Sequence, residues 1–349
     1  MAHAGIPYCQ PQSMYIGKCS VASGGREVRS HGVCCCARKT GANPGAPACP
    51  RRATFHRMKF FANLLAAPLL LMQAHAQVFT FTHDEMLKYT SHNPFDRFED
   101  GRPKVSDAIL EKVKGLSAEE VWAVLPGGGF RNQYEGNWRI LHPTRKLVGR
   151  AVTVQFMPAR PDIADIMEAD AKAKGLRDNG NQRVLDLLKP GDVLVVDLFG
   201  KIEEGTIVGD NLATYIYATT GTGLVVDGAI RDLEGIQPID MSVYCRGVHP
   251  TPIRNVMLTG INVPVRIGGA TVMPGDVVFG DSEGVYFIPP QIVKQVVDKA
   301  DETHIHDEWT QEKFKSGKYK STDIYPSPRD PALKKEYEEY LKQKLGQPQ

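Results

Sequence analysis

The stretch Gly209-Asp210-Asn211-Leu212-Ala213, followed by Gly223-Leu224-Val225-Val226-Asp227-Gly228-Ala229-Ile230-Arg231-Asp232, reads as a helix start and then a buried strand that ends in Arg-Asp. A helix start leaves backbone N–H groups unpaired at the positive end of the helix dipole, and together these favour an anion. An arginine can hold a carboxylate in a forked, two-bonded geometry, and an adjacent aspartate offers hard oxygen to a divalent cation. Arg231 and Asp232 emerge just beyond the strand, at the edge where α/β folds collect ligands. The combination suits a small oxo-acid bound beside a metal. Taken singly, the parts are weaker: Asp210 is equally explained as an N-cap, and Arg231-Asp232 as a surface ion pair.

Working outward, strand-like runs occupy Leu147–Met157, Val193–Leu198, Gly223–Val226, Pro264–Ile267, Val277–Phe279 and Val285–Ile288. Helical patterns fill Ile163–Lys174, Asp210–Thr220 and Pro290–Glu308, with a further helix start at Ser106 and a charged helix over Ala332–Leu345. Strands alternating with helices predict an α/β domain with a partly parallel sheet, and the Pro274-Gly275-Asp276 turn adds some antiparallel pairing. Turn chemistry accounts for Asp192 and Asp276, each of which follows a glycine and precedes a Val-rich strand. Asp227-Gly228 reads as a turn closing its strand. Gly127-Gly128-Gly129 reads as a turn or mobile loop. It lacks the Gly-Lys-Ser/Thr ending of a phosphate-binding loop, which argues against nucleotide binding.

The 349 residues have the composition of an ordinary globular protein, but six of the seven cysteines precede residue 58, so no disulfide framework serves the main body. Met58 to Gln77 carries Lys59, an apolar run from Phe60 to Met72 and small residues Ala74 and Ala76, the layout of a secretory signal cleaved after Ala76. The run is short and holds Pro68, which disfavours a stable membrane anchor. Residues 1–57 are then an upstream extension, explained by initiation at Met58 or by a transit segment. The Cys34-Cys35-Cys36 cluster lacks paired zinc-ligand spacing. Of the 42 basic residues, eight lie in residues 1–57 and one is Lys59, leaving 33 in the body against 39 acidic, a formal charge of −6. That balance gives no general footprint for nucleic acid.

The order of the two opening motifs and of Pro274-Gly275-Asp276-Val277-Val278-Phe279-Gly280-Asp281-Ser282-Glu283-Gly284-Val285 resembles the RraA-like family, that of 4-hydroxy-4-methyl-2-oxoglutarate aldolases and the regulator of ribonuclease activity A. The likeness covers about Val148 to Gly317. It implies a swivelling β/β/α sandwich with a helical N-terminal lead-in and a C-terminal helical tail, assembled as a homotrimer or hexamer with sites between subunits. It implies a lyase of class II type that uses Mg²⁺ or Mn²⁺ and cleaves 4-hydroxy-2-oxo acids to pyruvate, with oxaloacetate decarboxylation as a related reaction. Carried over residue by residue, Gly209, Asp210, Asn211, Leu212 and Arg231 contact the keto-acid substrate and Asp232 binds the metal. Asn211 departs from the family pattern, in which an apolar residue is common there. The chemistry agrees, because both reactions pass through an enolate that a Lewis acid and an arginine stabilise.

The resemblance also implies a further acid from a neighbouring chain. Glu308 is the candidate, on a helix where it shares a face with His304, although an exposed charged face explains it as well. A His304-x-His306 zinc site lacks a third ligand. The chain thus divides into an upstream segment (1–57), a signal peptide (58–76), a lead-in with a Gly-rich loop (77–136), a catalytic domain (137–317) and a tail (318–349). Two alternatives stand beside the lyase. One is a non-catalytic binding protein like the ribonuclease regulator. The other is a methyltransferase, a label that has attached to the family, against which the sequence shows no Gly-rich motif opening a strand–helix unit.

Overall fold

A computed structural model describes residues 79–173 and 180–346. The signal-type segment and the residues before it lie outside the described residues. The lead-in begins with α1 (His83–Tyr89), the short pair β1 (Asp96–Arg97) and β2 (Pro103–Lys104), α2 (Asp107–Lys114) and α3 (Ala118–Trp122). Strands β3 (Tyr134–Glu135), β4 (Arg139–Leu141) and β5 (Leu147–Pro158) follow, then α4 (Pro161–Ala173), α5 (Gly180–Leu185), β6 (Asp192–Val208) and α6 (Asp210–Thr220). Next come β7 (Leu224–Ile230), α7 (Leu233–Ile236), β8 (Val243–Val248), β9 (Val256–Ile261) and the hairpin β10 (Val265–Ile267) and β11 (Ala270–Val272). The chain closes with β12 (Val277–Gly280), β13 (Val285–Ile288), α8 (Pro290–Lys315), α9 (Ser321–Ile324) and α10 (Pro331–Leu345).

One large sheet organises these elements in the order β3-β13-β12-β5-β6-β7-β8-β4, with β9 also pairing β5. The central strands β5 to β8 run parallel and the flanks are antiparallel. Alternation sorts the side chains into two faces. Leu194, Val196 and Leu198 of β6 point to the helical face, where they pack with Val226, Ala213 and Ile216. On the same face Val277, Phe279 and Ile288 meet Val293 and Val296 of α8 and Val113 and Val121 of the lead-in. Val193, Val195 and Val225 point the other way, onto the β10–β11 hairpin through Ile267 and Val272. Hairpin, sheet and helices form the three layers of a β/β/α sandwich, as expected.

Several local readings change. Asp227-Gly228 does not close its strand: β7 continues to Ile230, with a register shift against β8 between Val226 and Ala229. The aspartate is tolerated inside a strand because Arg246 of β8 donates Nε–H to its Oδ1 at 2.7 Å. Asp192 is more than a turn residue, since Arg102 of the lead-in grips it bidentately at 2.8 and 3.0 Å with both side chains buried. Asp276 does serve its turn, accepting the Met273 N–H at 2.8 Å. The tail helix packs on the chain's own α8, Tyr337 lying 5.2 Å from Trp309 and 5.3 Å from His306 between ring centres.

Two predictions follow from these buried charges. Breaking a buried pair from one side strands the other charge, so Arg102→Met should cost about 3–5 kcal/mol in urea unfolding. An Arg102→Met/Asp192→Leu double variant should recover much of that loss. Burial pushes the Asp276 carboxyl up to about 7, against the lowering effect of the Met273 N–H. The folded state therefore keeps a proton that the unfolded chain sheds from about pH 4, favouring the fold below that pH and losing the advantage as pH rises toward 7. Relative to Asp276→Asn, wild-type stability should fall across that interval in pH-dependent urea titrations.

Candidate active site

The C-terminal edges of β6, β7 and β8 lie side by side. Val208 pairs with Ile230, and the Arg231 N–H donates to the Val208 carbonyl at 3.0 Å. Gly209 therefore stands opposite Arg231, and the two sequence motifs meet across a strand boundary. A Cβ on Gly209 would lie 2.3 Å from Asp232 Oδ2 and 3.0 Å from Arg231 Nε. Glycine is needed here because the Arg-Asp side chains occupy the space that a side chain would fill.

Gly209, not Asp210, is the N-cap of α6, and it contributes no side-chain cap. Asp210 is the first helical residue, and its Oδ1 accepts the N–H of Asn211 at 2.7 Å. Among the described residues no side chain caps the N–H groups of Asp210 and Leu212, which preserves the anion-binding character of the helix start. A Cβ on Gly235 would lie 2.5 Å from Asp210 Cβ, so Asp210 seats against α7, the short helix that Asp232 begins. Asn211 is exposed, and Leu212 packs against the core. The helix ends at Gly221 with φ 69°, a left-handed cap suited to glycine.

Asp232 is also left-handed, at φ 57° and ψ 46°, and its side chain caps nothing. A non-glycine residue there stores strain on the order of 1–3 kcal/mol, a feature that concentrates at working sites. Its Oδ2 lies 3.4 Å from Arg231 Nε, and the two side chains are 39% and 42% exposed. The Arg231 Nη groups donate no hydrogen bond among the described residues, so the forked edge of the guanidinium is unspent. Among the described residues no three His, Cys, Asp or Glu form a metal cage. A magnesium-like cation needs less, because it keeps several waters and takes one or two protein carboxylates beside substrate oxygens. Asp232 fits that donor set.

Glu308 is not joined to these groups within the chain. It sits on the exposed side of α8, where Lys344 of α10 donates to both carboxylate oxygens at 2.8 and 3.0 Å. The Lys344 hydrogen bond holds its carboxyl below the usual range. Strand β8, which the sequence pattern did not reveal, brings His249 to the same edge as Arg231. Its signal in the sequence is faint, because Arg246 and Gly247 interrupt the apolar run. A separate cavity of about 280 Å³ opens at the opposite, N-terminal strand edge, lined by Lys114, Tyr217, Thr222 and the Arg145–Asp240 ion pair. It touches none of the motif residues.

Residues 103–287 match the family described as RraA-like, aldolase/RraA. The chain belongs to the RraA-like family. A protein of Ectopseudomonas mendocina provisionally named 4-hydroxy-4-methyl-2-oxoglutarate aldolase is 31% identical over 153 residues, covering 40% of this chain and 94% of its own. Protein DlpA of Legionella pneumophila is 30% identical over 195 residues, 55% of this chain, which spans only 29% of that relative's length. The crystal structure of Streptomyces coelicolor RraAS2, described as an unusual member of the RNase ES inhibitor RraA protein family, superposes with a TM-score of 0.52 at 29% identity. It covers 62% of this chain and 99% of its own.

Because Asp232 Oδ2 fills the space over Gly209, Gly209→Ala should turn the carboxylate away at little cost to folding. The expected outcome is a melting temperature within a few degrees of wild type, since the moved group is half-exposed, and a changed Asp232 rotamer in a structure of the variant.

Proposed function

We propose that this RraA-like protein is a divalent-metal-dependent lyase that cleaves 4-hydroxy-2-oxo acids of the 4-hydroxy-4-methyl-2-oxoglutarate type to release pyruvate, and that the same site decarboxylates oxaloacetate. The observation that carries the reading is the junction at Gly209, where an unspent guanidinium fork and a carboxylate that caps nothing lie over a helix start whose N-cap is a glycine. Arg231 would take the substrate carboxylate in its fork, and the Asp210 and Leu212 N–H groups would receive developing negative charge. Asp232 would hold Mg²⁺ or Mn²⁺, which when bound draws electron density from the keto oxygen. Both reactions leave the same three-carbon enolate, which explains how one site could serve two substrates.

The proposal includes assembly as a trimer or hexamer with a neighbour's carboxylate completing the site. Glu308 is the candidate, and it would first have to leave Lys344. It also includes export after cleavage near Ala76, supported by the signal-type pattern of residues 58–76. A non-catalytic binding role draws on the description of the Streptomyces relative. The half-exposed Arg231–Asp232 pair favours the lyase, because docking alone does not require an unspent cation beside a strained carboxylate.

Purified protein with Mg²⁺ or Mn²⁺ should release pyruvate from 4-hydroxy-4-methyl-2-oxoglutarate, followed by coupled lactate dehydrogenase. Asp232→Ala and Arg231→Ala should each lower kcat/KM by about 100-fold or more, the scale for losing one charge-stabilising group. No turnover with either metal, together with unchanged Mn²⁺ binding in Asp232→Ala, would overturn the reading.

A further inference from the structure

We propose that His249 recognises the far carboxylate of the substrate, making the site selective for 2-oxo dicarboxylic acids over monocarboxylic ones. The inference rests on the keto-acid reading above and deepens it. Three residues form a row across the strand edge. Gly209 stands opposite Arg231, and the β7–β8 register pairs Ile230 with Val248, the His249 N–H donating to the Ile230 carbonyl at 3.1 Å. Arg231 and His249 therefore follow directly on a paired couple of residues, on strands about 4.8 Å apart. Arg231 leans over Gly209, toward β6 and away from the histidine's strand.

The environment of the imidazole fixes what it can do. Thr251 Oγ1 accepts the Glu204 N–H at 2.9 Å and lies 2.8 Å from His249 Nδ1. The Thr251 N–H also points at Nδ1, at 3.4 Å. A backbone N–H can only donate, so its aim at Nδ1 favours the neutral tautomer that carries the proton on Nε2. That nitrogen has no hydrogen-bond partner among the described residues, and the residue is half-buried. A ring in this tautomer donates from Nε2, which suits it to a carboxylate. With one carboxylate on Arg231, the group that reaches the next strand is the second carboxylate of a five-carbon diacid. A site with such a donor binds the analogue that lacks the acceptor more weakly.

The test compares 2-oxoglutarate with 2-oxopentanoate, which share a five-carbon chain, differ only at C5 and lack the 4-hydroxyl needed for cleavage. Calorimetric binding to the Mg²⁺-loaded full chain should show about a tenfold preference for 2-oxoglutarate, the scale of one charge-assisted hydrogen bond. His249→Leu should abolish the preference while 2-oxopentanoate affinity changes less than about twofold. His249→Gln, which keeps an N–H donor, should retain part of it. A preference that survives in His249→Leu, or equal loss of both acids in the Leu and Gln variants, would overturn the assignment. Binding of neither acid by wild type would overturn the keto-acid reading itself and this inference with it.

Discussion

Three parallel strands, β6, β7 and β8, end level with one another, because beyond the bulges in both ladders Val208 pairs with Ile230 and Ile230 with Val248. That alignment delivers residues distant in sequence to one edge: Gly209 and Asp210 after β6, Arg231 and Asp232 after β7, His249 after β8. A slip of one residue would send Arg231 to the opposite face, since side chains alternate along a strand. Register is protected on both sides of the sheet. Val226 and Ile230 are buried against the helices, and Val225 against the hairpin, so any slip exchanges apolar for polar surface.

Charged pairs reinforce this alignment at both ends of the strands. At the N-terminal edge, Arg102 reaches from the lead-in to Asp192 at the start of β6, and Arg150 of β5 bonds the Val105 carbonyl of the same lead-in. These bonds fasten the lead-in to the sheet and explain why its Val113 and Val121 share a core with α8. On the hairpin face, Arg246 joins Asp227 and Glu135 at 2.7 Å each and stacks on Trp138. Beside it, burial pushes the Asp197 carboxyl up, with the Asp227 charge adding to the rise and backbone donors opposing it. Arg102 and Arg246 each satisfy a carboxylate, Asp192 and Asp227, that would otherwise be stranded inside the sheet.

The alternation of apolar runs predicted the strands over residues 147–157, 193–198 and 277–279 and the helix over 210–220, because each is a local pattern with its own turn or cap. Strand β8 was not legible, since Arg246 is tolerated in it only through partners on other strands. The second half of β6 was hidden for a similar reason. Its register shifts and the positive φ of Phe199 and Glu204 accommodate the Gly200–Gly205 stretch, whose composition reads as a turn. The candidate site was legible in its identities and not in its roles. The sequence placed Asp210 as a cap, whereas Gly209 holds that position and Asp210 bonds its neighbour's N–H.

By itself the sequence determined the α/β class, the family and the order of the motifs, all of which depend on residues close together along the chain. Only the tertiary structure decided that Gly209 must lack a side chain for Arg231 and Asp232 to sit over it, that Asp232 takes a left-handed conformation, and that His249 stands beside Arg231. The physical reason is that these facts follow from strand register and shared volume. Both are set by contacts between segments that have no local trace of one another.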